Sequence, residues 1–96
     1  MHSYRLTIEA DKDIDEIGSY TTATWGWRQA GRYLSRIEDG LELLLRNPSI
    51  GRASDAIRPG LRRFEIGHHV VFYVEEDEGI LIVRVLHERM LPAKYI

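Results

Sequence analysis

Near the C-terminal end, Arg84, His87 and Arg89 put one imidazole and two guanidinium groups into a single short run. That combination can do phosphoryl-transfer chemistry. In-line attack of a hydroxyl on a phosphodiester moves a proton at each end of the reaction, so it needs a general base, a general acid and cations to hold charge on the transferring phosphate. Arg63 and Tyr95 can join the same set. A structural reading of His87 stands beside it. On strand alternation His87 shares a face with Leu81, Val83 and Val85, opposite Arg84, where a histidine serves the edge of a core and bonds to backbone. Two more groups have binding chemistry. Arg58, Arg62 and Arg63 offer planar forks that pair with carboxylates, either a partner's or the chain's own. Trp25 and Trp27 flank Gly26; tryptophan is a common interface anchor, and in a chain this short one of the two is expected in the core and the other outside. His68 and His69 are adjacent, so on a strand their side chains diverge and no metal site is assigned.

These residues need elements to hold them. Tyr4-Arg5-Leu6-Thr7-Ile8 alternates as a strand that ends at Glu9-Ala10, after which Asp11 or Asp13 can cap a helix with carboxylates in its first turn. Ile14, Ile17 and Thr21, with Tyr20 beside them, mark one face of that helix up to about Trp25. A second helix starts near Trp27, with a continuous apolar stripe through Ala30, Tyr33, Leu34, Ile37, Leu41, Leu44 and Leu45. It stops where Pro48 disfavours helical geometry at Asn47. With little more than Gly26 between them, the two helices must double back as a hairpin.

Residues 46–60 show no period, and so long a connection in a small domain is expected to be functional. Residues 61–66 and 68–75 alternate as adjacent strands, the second with Val70, Phe72 and Val74 on one face and Val71 and Tyr73 on the other. After the polar turn Glu75-Glu76-Asp77-Glu78-Gly79, residues 80–87 form a last strand, apolar on both faces and therefore central. The order strand, helix, helix, strand, strand, strand is β-α-α-β-β-β. An apolar helical hairpin and a sheet that needs one face covered make a two-layer α+β domain over residues 1–96: an N-terminal strand, then the hairpin, then a three-stranded antiparallel unit, giving four strands in all.

Composition narrows the function class. Ninety-six residues with 44% hydrophobic and 29% charged side chains build one soluble core. No cysteine excludes a disulfide framework and thiolate metal sites and agrees with a cytoplasmic setting. No apolar run is long enough to span a membrane, and the N-terminus lacks a signal-peptide layout. The net charge of −2 is polarised. Glu9, Asp11, Asp13, Asp15 and Glu16 crowd one segment, whereas Arg46, Arg52, Arg58, Arg62 and Arg63 crowd another. Segregated patches on a near-neutral chain suit charge-steered recognition of a macromolecule.

Several motifs occur together in a recognisable order: Ala10-Asp11-Lys12-Asp13; Tyr20-Thr21, Trp25-Gly26 and Gln29-Ala30; Pro48 and Gly51-Arg52; Arg58 to Arg63 as Arg-x-Gly-Leu-Arg-Arg; His69 to Tyr73; and Val85 to Met90 as Val-Leu-His-x-Arg-Met. Over most of its length the chain resembles the ParE-type toxins of the RelE/ParE superfamily. The resemblance implies the toxin of a type II toxin–antitoxin system, held inactive by a ParD-like antitoxin, which when free poisons DNA gyrase by binding rather than by catalysis. On that footing Trp25, Trp27, Tyr33, Arg58, Arg62 and Arg63 are assigned to the antitoxin, and Arg84, His87, Arg89 and Met90 to the target. Neither a cofactor, a membrane nor sequence-specific DNA recognition by the toxin alone is implied. The alternative is a RelE-like, ribosome-dependent mRNA interferase using His87, Arg84 and Arg89. RelE-like sites rely on lysine, and this chain has only Lys12 and Lys94, both outside the arginine patch. Leu91 departs from the acid that ParE-like chains carry after the methionine, which leaves residues 91–96 outside the transfer.

Overall fold

The computed structural model describes residues 3–96, so the first two residues of the expected domain lie outside the described residues. Strand β1 (Ser3–Leu6) runs directly into helix α1 (Ile8–Trp25). Thr7 makes the junction. Its side-chain oxygen accepts from the Ala10 N–H at 3.0 Å, and its hydroxyl donates to the Val83 carbonyl at 2.7 Å, tying the helix start to the sheet. The expected cap at Asp11 or Asp13 is thereby corrected. A threonine satisfies a free helical N–H as an aspartate would, and here the sheet fixes which residue does so. Glu9 and Asp11 still occupy the first turn, where the helix dipole favours them.

Gly26, at φ +90°, is the whole link between α1 and helix α2 (Trp27–Arg46). A positive φ of that size suits a residue without Cβ. Ala30, Ile37, Leu41 and Leu44 bury the α2 stripe as its spacing predicts. Asn47 closes the helix, its N–H donating to the Leu43 carbonyl, and Pro48 follows.

Four more strands complete the sheet: β2 (Arg52–Ala53), β3 (Arg62–Ile66), β4 (His69–Glu76) and β5 (Gly79–His87), followed by a 3-10 turn at Pro92–Lys94. The order across the sheet is β1-β5-β4-β3-β2. β1 is parallel to β5 and every other pair is antiparallel, with β5 interior as expected. The sheet has five strands rather than four, because Arg52 and Ala53 pair with Arg63 and Arg62 inside a stretch that has no period of its own.

The hairpin covers one face. There Ile17, Ile37, Leu41 and Leu44 pack against Ile66, Val71, Tyr73, Ile80, Ile82 and Val85. The opposite face carries a second buried cluster, Leu61, Val70, Phe72, Val83 and Leu86, with Ile57, Met90 and Ile96 packed against it. Much of the 47–61 connection is therefore scaffolding. The hydroxyl of Tyr73, itself fully buried, accepts from the Gly51 N–H at 3.0 Å and donates to the Pro48 carbonyl at 2.7 Å.

One irregularity decides the site. Between Phe72 and Tyr73 the β4–β5 register shifts, so that Phe72 faces Arg84 while Tyr73 faces Ile82. An extra residue in one strand reverses the alternation beyond it. Ile80 and Ile82 face the helices before the bulge, and Val85 does so after it. The expected placement of His87 beside Leu81 and Val83 is corrected accordingly: His87 follows Val85 onto the helix side, opposite His69.

Candidate functional site

With the alternation reversed, the end of β5 opens into a groove between α1, the start of α2, the β3–β4 turn and the C-terminal segment. Its cavity is about 700 Å³. Tyr20, Trp25 and Thr21 line the α1 side, Gln29 and Tyr33 the α2 side, and His68, His69, Arg84, His87, Met90 and Tyr95 the floor and far wall. Tyr20 and Trp25 are each 68% exposed, an unusual presentation of large apolar surface in so small a chain.

Arg84 is held by Asp13 on α1. Its Nε and Nη2 each donate to a carboxylate oxygen at 2.8 Å, the Val85 N–H donates to the same carboxylate at 2.9 Å, and Nη1 donates to the Tyr95 carbonyl at 2.8 Å. The pair is nearly dry, with side chains 17% and 10% exposed. The hydrogen bond from Arg84 to Asp13 holds the guanidinium pKa above its ordinary value. Its geometry is that of a fork-to-fork clamp joining α1, β5 and the C-terminus. Part of the acidic run in α1 is therefore a structural counter-charge.

His87 Nδ1 accepts from the Arg89 N–H at 3.2 Å, which is the backbone-bonded arrangement, and its ring meets His69 edge-on with centroids 5.4 Å apart. Burial, followed by the charges of His87 and His68, lowers the His69 pKa to about 4. His69 is thus neutral near pH 7. The Tyr33 hydroxyl accepts from the His68 N–H at 3.1 Å, lies 3.4 Å from the Ile66 carbonyl and is in close hydrogen-bond contact with His69 Nδ1. Burial also raises the Tyr33 pKa, so its proton stays in place. Gly67, at φ +59°, turns the chain here, and a Cβ on it would come within 2.8 Å of the Tyr33 ring.

The groove gathers Trp25 and Tyr33 with Arg84, His87 and Met90, two groups that sequence reasoning assigned to different partners. Arg89 is exposed beside it. Trp27 lies on the outer side of α2, 72% exposed, with the Arg28 guanidinium 5.2 Å from its ring centroid. Both tryptophans are therefore outside, and the expectation that one enters the core is corrected: at the hairpin tip Thr21 and Ala30 are the buried side chains. Arg58, Arg62 and Arg63 belong to the other end of the sheet. Arg62 Nη1 donates to the Gly51 carbonyl at 2.8 Å, with Glu75 3.4 Å from its Nε, while Arg63 stacks over Phe72 at 5.2 Å. Arg58 is exposed. Tyr20, Gln29 and His69 were not singled out as site residues. Tyr20 had a signal, since it sits beside the apolar face of α1 rather than on it.

Among the described residues no three histidine or acidic side chains are grouped to hold a metal ion, and no helix is long and apolar enough to cross a membrane. A family model for the ParE toxin of the type II toxin–antitoxin system parDE matches residues 4–92. Toxin ParE1 of Mycobacterium tuberculosis is 42% identical over 88 residues, covering 91% of this chain and 90% of the relative. Toxin ParE of Escherichia coli is 36% identical over 91 residues, covering 94% and 88%. Among solved structures, the chromosomal ParDE toxin–antitoxin system from P. aeruginosa superposes with a TM-score of 0.77 at 23% identity, covering 91% of this chain and 96% of that one. The YoeB–YefM complex from Staphylococcus aureus gives 0.60 at 17% identity, covering 91% and 97%. These two establish a shared fold.

Proposed function

The chain belongs to the ParE toxin family of type II toxin–antitoxin systems, and from that premise we propose that it poisons DNA gyrase by binding and is neutralised by a ParD-like antitoxin. What carries the proposal is the family match, which spans hairpin, sheet and groove alike. The groove supports a binding function over a catalytic one. Arg84 lines the groove together with His87, yet both arms of its fork are occupied by Asp13 and a third nitrogen by the Tyr95 carbonyl. A guanidinium in that clamp would have to leave a dry carboxylate to serve a transition state. Its loss would also leave the Val85 N–H bonded to an unpaired buried charge.

An antitoxin segment with apolar side chains suits the aromatic groove, with Trp25 and Tyr33 as anchors and exposed Arg58 as a pairing site at a distance. Trp27 extends the same tip. Arg62 and Arg63 contribute to that surface through the loop they hold. Target contact is assigned to the exposed Arg89 and to His87 and Met90 at the groove wall, with Arg84 positioning them. A titration separates binding from turnover: the free chain should inhibit gyrase supercoiling only when present in at least about equal amount. Complete inhibition by a small fraction of that amount, or none in large excess, would contradict the proposal.

A further inference from the structure

The outer face of α2 carries a charge pattern that the groove does not use. Arg28, Arg32 and Arg36 recur at every fourth residue, which places three guanidinium groups along one side of the helix over about 12 Å. All three are exposed, and among the described residues none is in an ion pair. From residue 17 to residue 37 the chain has no acidic side chain, although its net charge is −2. Between the arginines lie Gly31 and Ser35, small enough to let an extended backbone approach, and Trp27 stands at one end with Arg28 stacked on it. The pattern is unfavourable for the helix itself. Cations in its first half oppose the dipole, and α2 has neither an acid in its first turn nor a side-chain cap. Asp39 closes the far end of this face beside Arg36, and the other acids of the hairpin lie away from it, in the first half of α1 and at Glu38 and Glu42.

We propose that this face binds the phosphodiester backbone of duplex DNA without sequence preference, through Arg28, Arg32 and Arg36. Arginine matches phosphate geometry by a bidentate fork, and a duplex presents a continuous row of phosphates whatever its sequence. No base-reading side chain is needed. The proposal goes beyond the toxin reading and does not rest on the gyrase target. A toxin that acts on a DNA-bound enzyme would gain from a weak hold on the DNA beside it.

The test is fluorescence anisotropy of a labelled 24-base-pair duplex of mixed sequence with the purified full-length chain, without gyrase, from 50 to 200 mM salt. Three phosphate contacts give a slope of log K against log salt of about −2.7, a loss of about 40-fold over that range, and a Kd of ~1–100 μM. R28Q/R32Q/R36Q should weaken binding at least tenfold at 50 mM salt and flatten the slope, without lowering Tm. R5Q/R46Q/R52Q, which removes the same charge elsewhere, should stay within threefold of the unaltered chain. Equal losses in the two variants would reduce the effect to net charge and overturn the proposal. So would absence of salt-dependent binding, or binding of poly-glutamate in place of DNA that is lost in R28Q/R32Q/R36Q, which would make the face a dock for an acidic protein. Because gyrase is absent from the assay, a negative result here leaves the gyrase reading standing, and failure to inhibit gyrase leaves this one standing.

Discussion

Asp13→Ala should be among the most damaging single substitutions that leave the apolar core intact. The carboxylate accepts two bonds from Arg84 and one from the Val85 N–H, and both side chains of the pair are largely removed from water. Removing one partner of a buried pair leaves an uncompensated charge and costs about 3–5 kcal/mol. A domain of this size has about 5–15 kcal/mol in total, so the variant should be close to unfolding at 37 °C. Arg84→Met strands the carboxylate and should cost a similar amount. The double variant D13A/R84M removes both charges and leaves chiefly the Val85 N–H without a partner, a loss of about 1–3 kcal/mol. The double variant should therefore be more stable than either single, with a coupling energy of about 6 kcal/mol, since each single loses about 4 and the double about 2. Urea unfolding followed by circular dichroism at 222 nm measures each corner of the cycle. A cost below about 1 kcal/mol for Asp13→Ala, or a double variant whose loss equals the sum of the singles, would refute the clamp as described.

His69 makes stability depend on pH. Because its folded pKa is about 4 against an ordinary 6.5, the unfolded chain takes up a proton that the folded chain refuses between those values. Its contribution is intact above about pH 6.5 and is lost as pH falls toward 4. Partial exposure limits the loss to about 1–2 kcal/mol, and His69→Gln should flatten the decline in urea stability between pH 7.5 and pH 4.5; an unchanged decline would contradict this. Gly67→Ala should cost about 1–3 kcal/mol, since it combines a positive φ with a Cβ pressed on the Tyr33 ring, and equal urea midpoints would show that the turn relaxes freely. Trp25→Ala should leave stability within about 0.5 kcal/mol, because the ring is mostly exposed, while weakening antitoxin binding by about 30-fold in calorimetry. Unchanged affinity would remove the groove from the antitoxin interface.

The regular elements were legible because their signals are local. The α2 stripe from Ala30 to Leu44, the stop before Pro48 and the alternation of Val70 to Val74 follow directly from residue spacing, and the structure has each of them. The start of α1 was not legible in the same way. Asp11 and Asp13 nearby carry the capping signature, and only the sheet, through the Val83 carbonyl, selects Thr7. Arg52 and Ala53 become a strand because β3 is there to pair with, a long-range cause invisible in a two-residue window. The bulge is the most consequential case. Alternation has no way to register an extra residue, yet that residue brings His87 to the helix side and so assembles the groove. Tyr33 and Trp25 were recognisable as binding types, but their company with Arg84, His69 and Met90 depends on the bulge and the C-terminal segment together.

The proposal of a binding toxin whose target is gyrase is tested most directly by one parallel experiment. The purified chain, freed of any antitoxin, is added to a gyrase supercoiling reaction and to translating ribosomes programmed with a defined mRNA. Loss of supercoiling with accumulation of cleaved DNA, and mRNA left whole, is the result the account predicts. Cuts in the mRNA at codon-set positions with normal gyrase activity would contradict it and would return His87, Arg84 and Arg89 to a catalytic role.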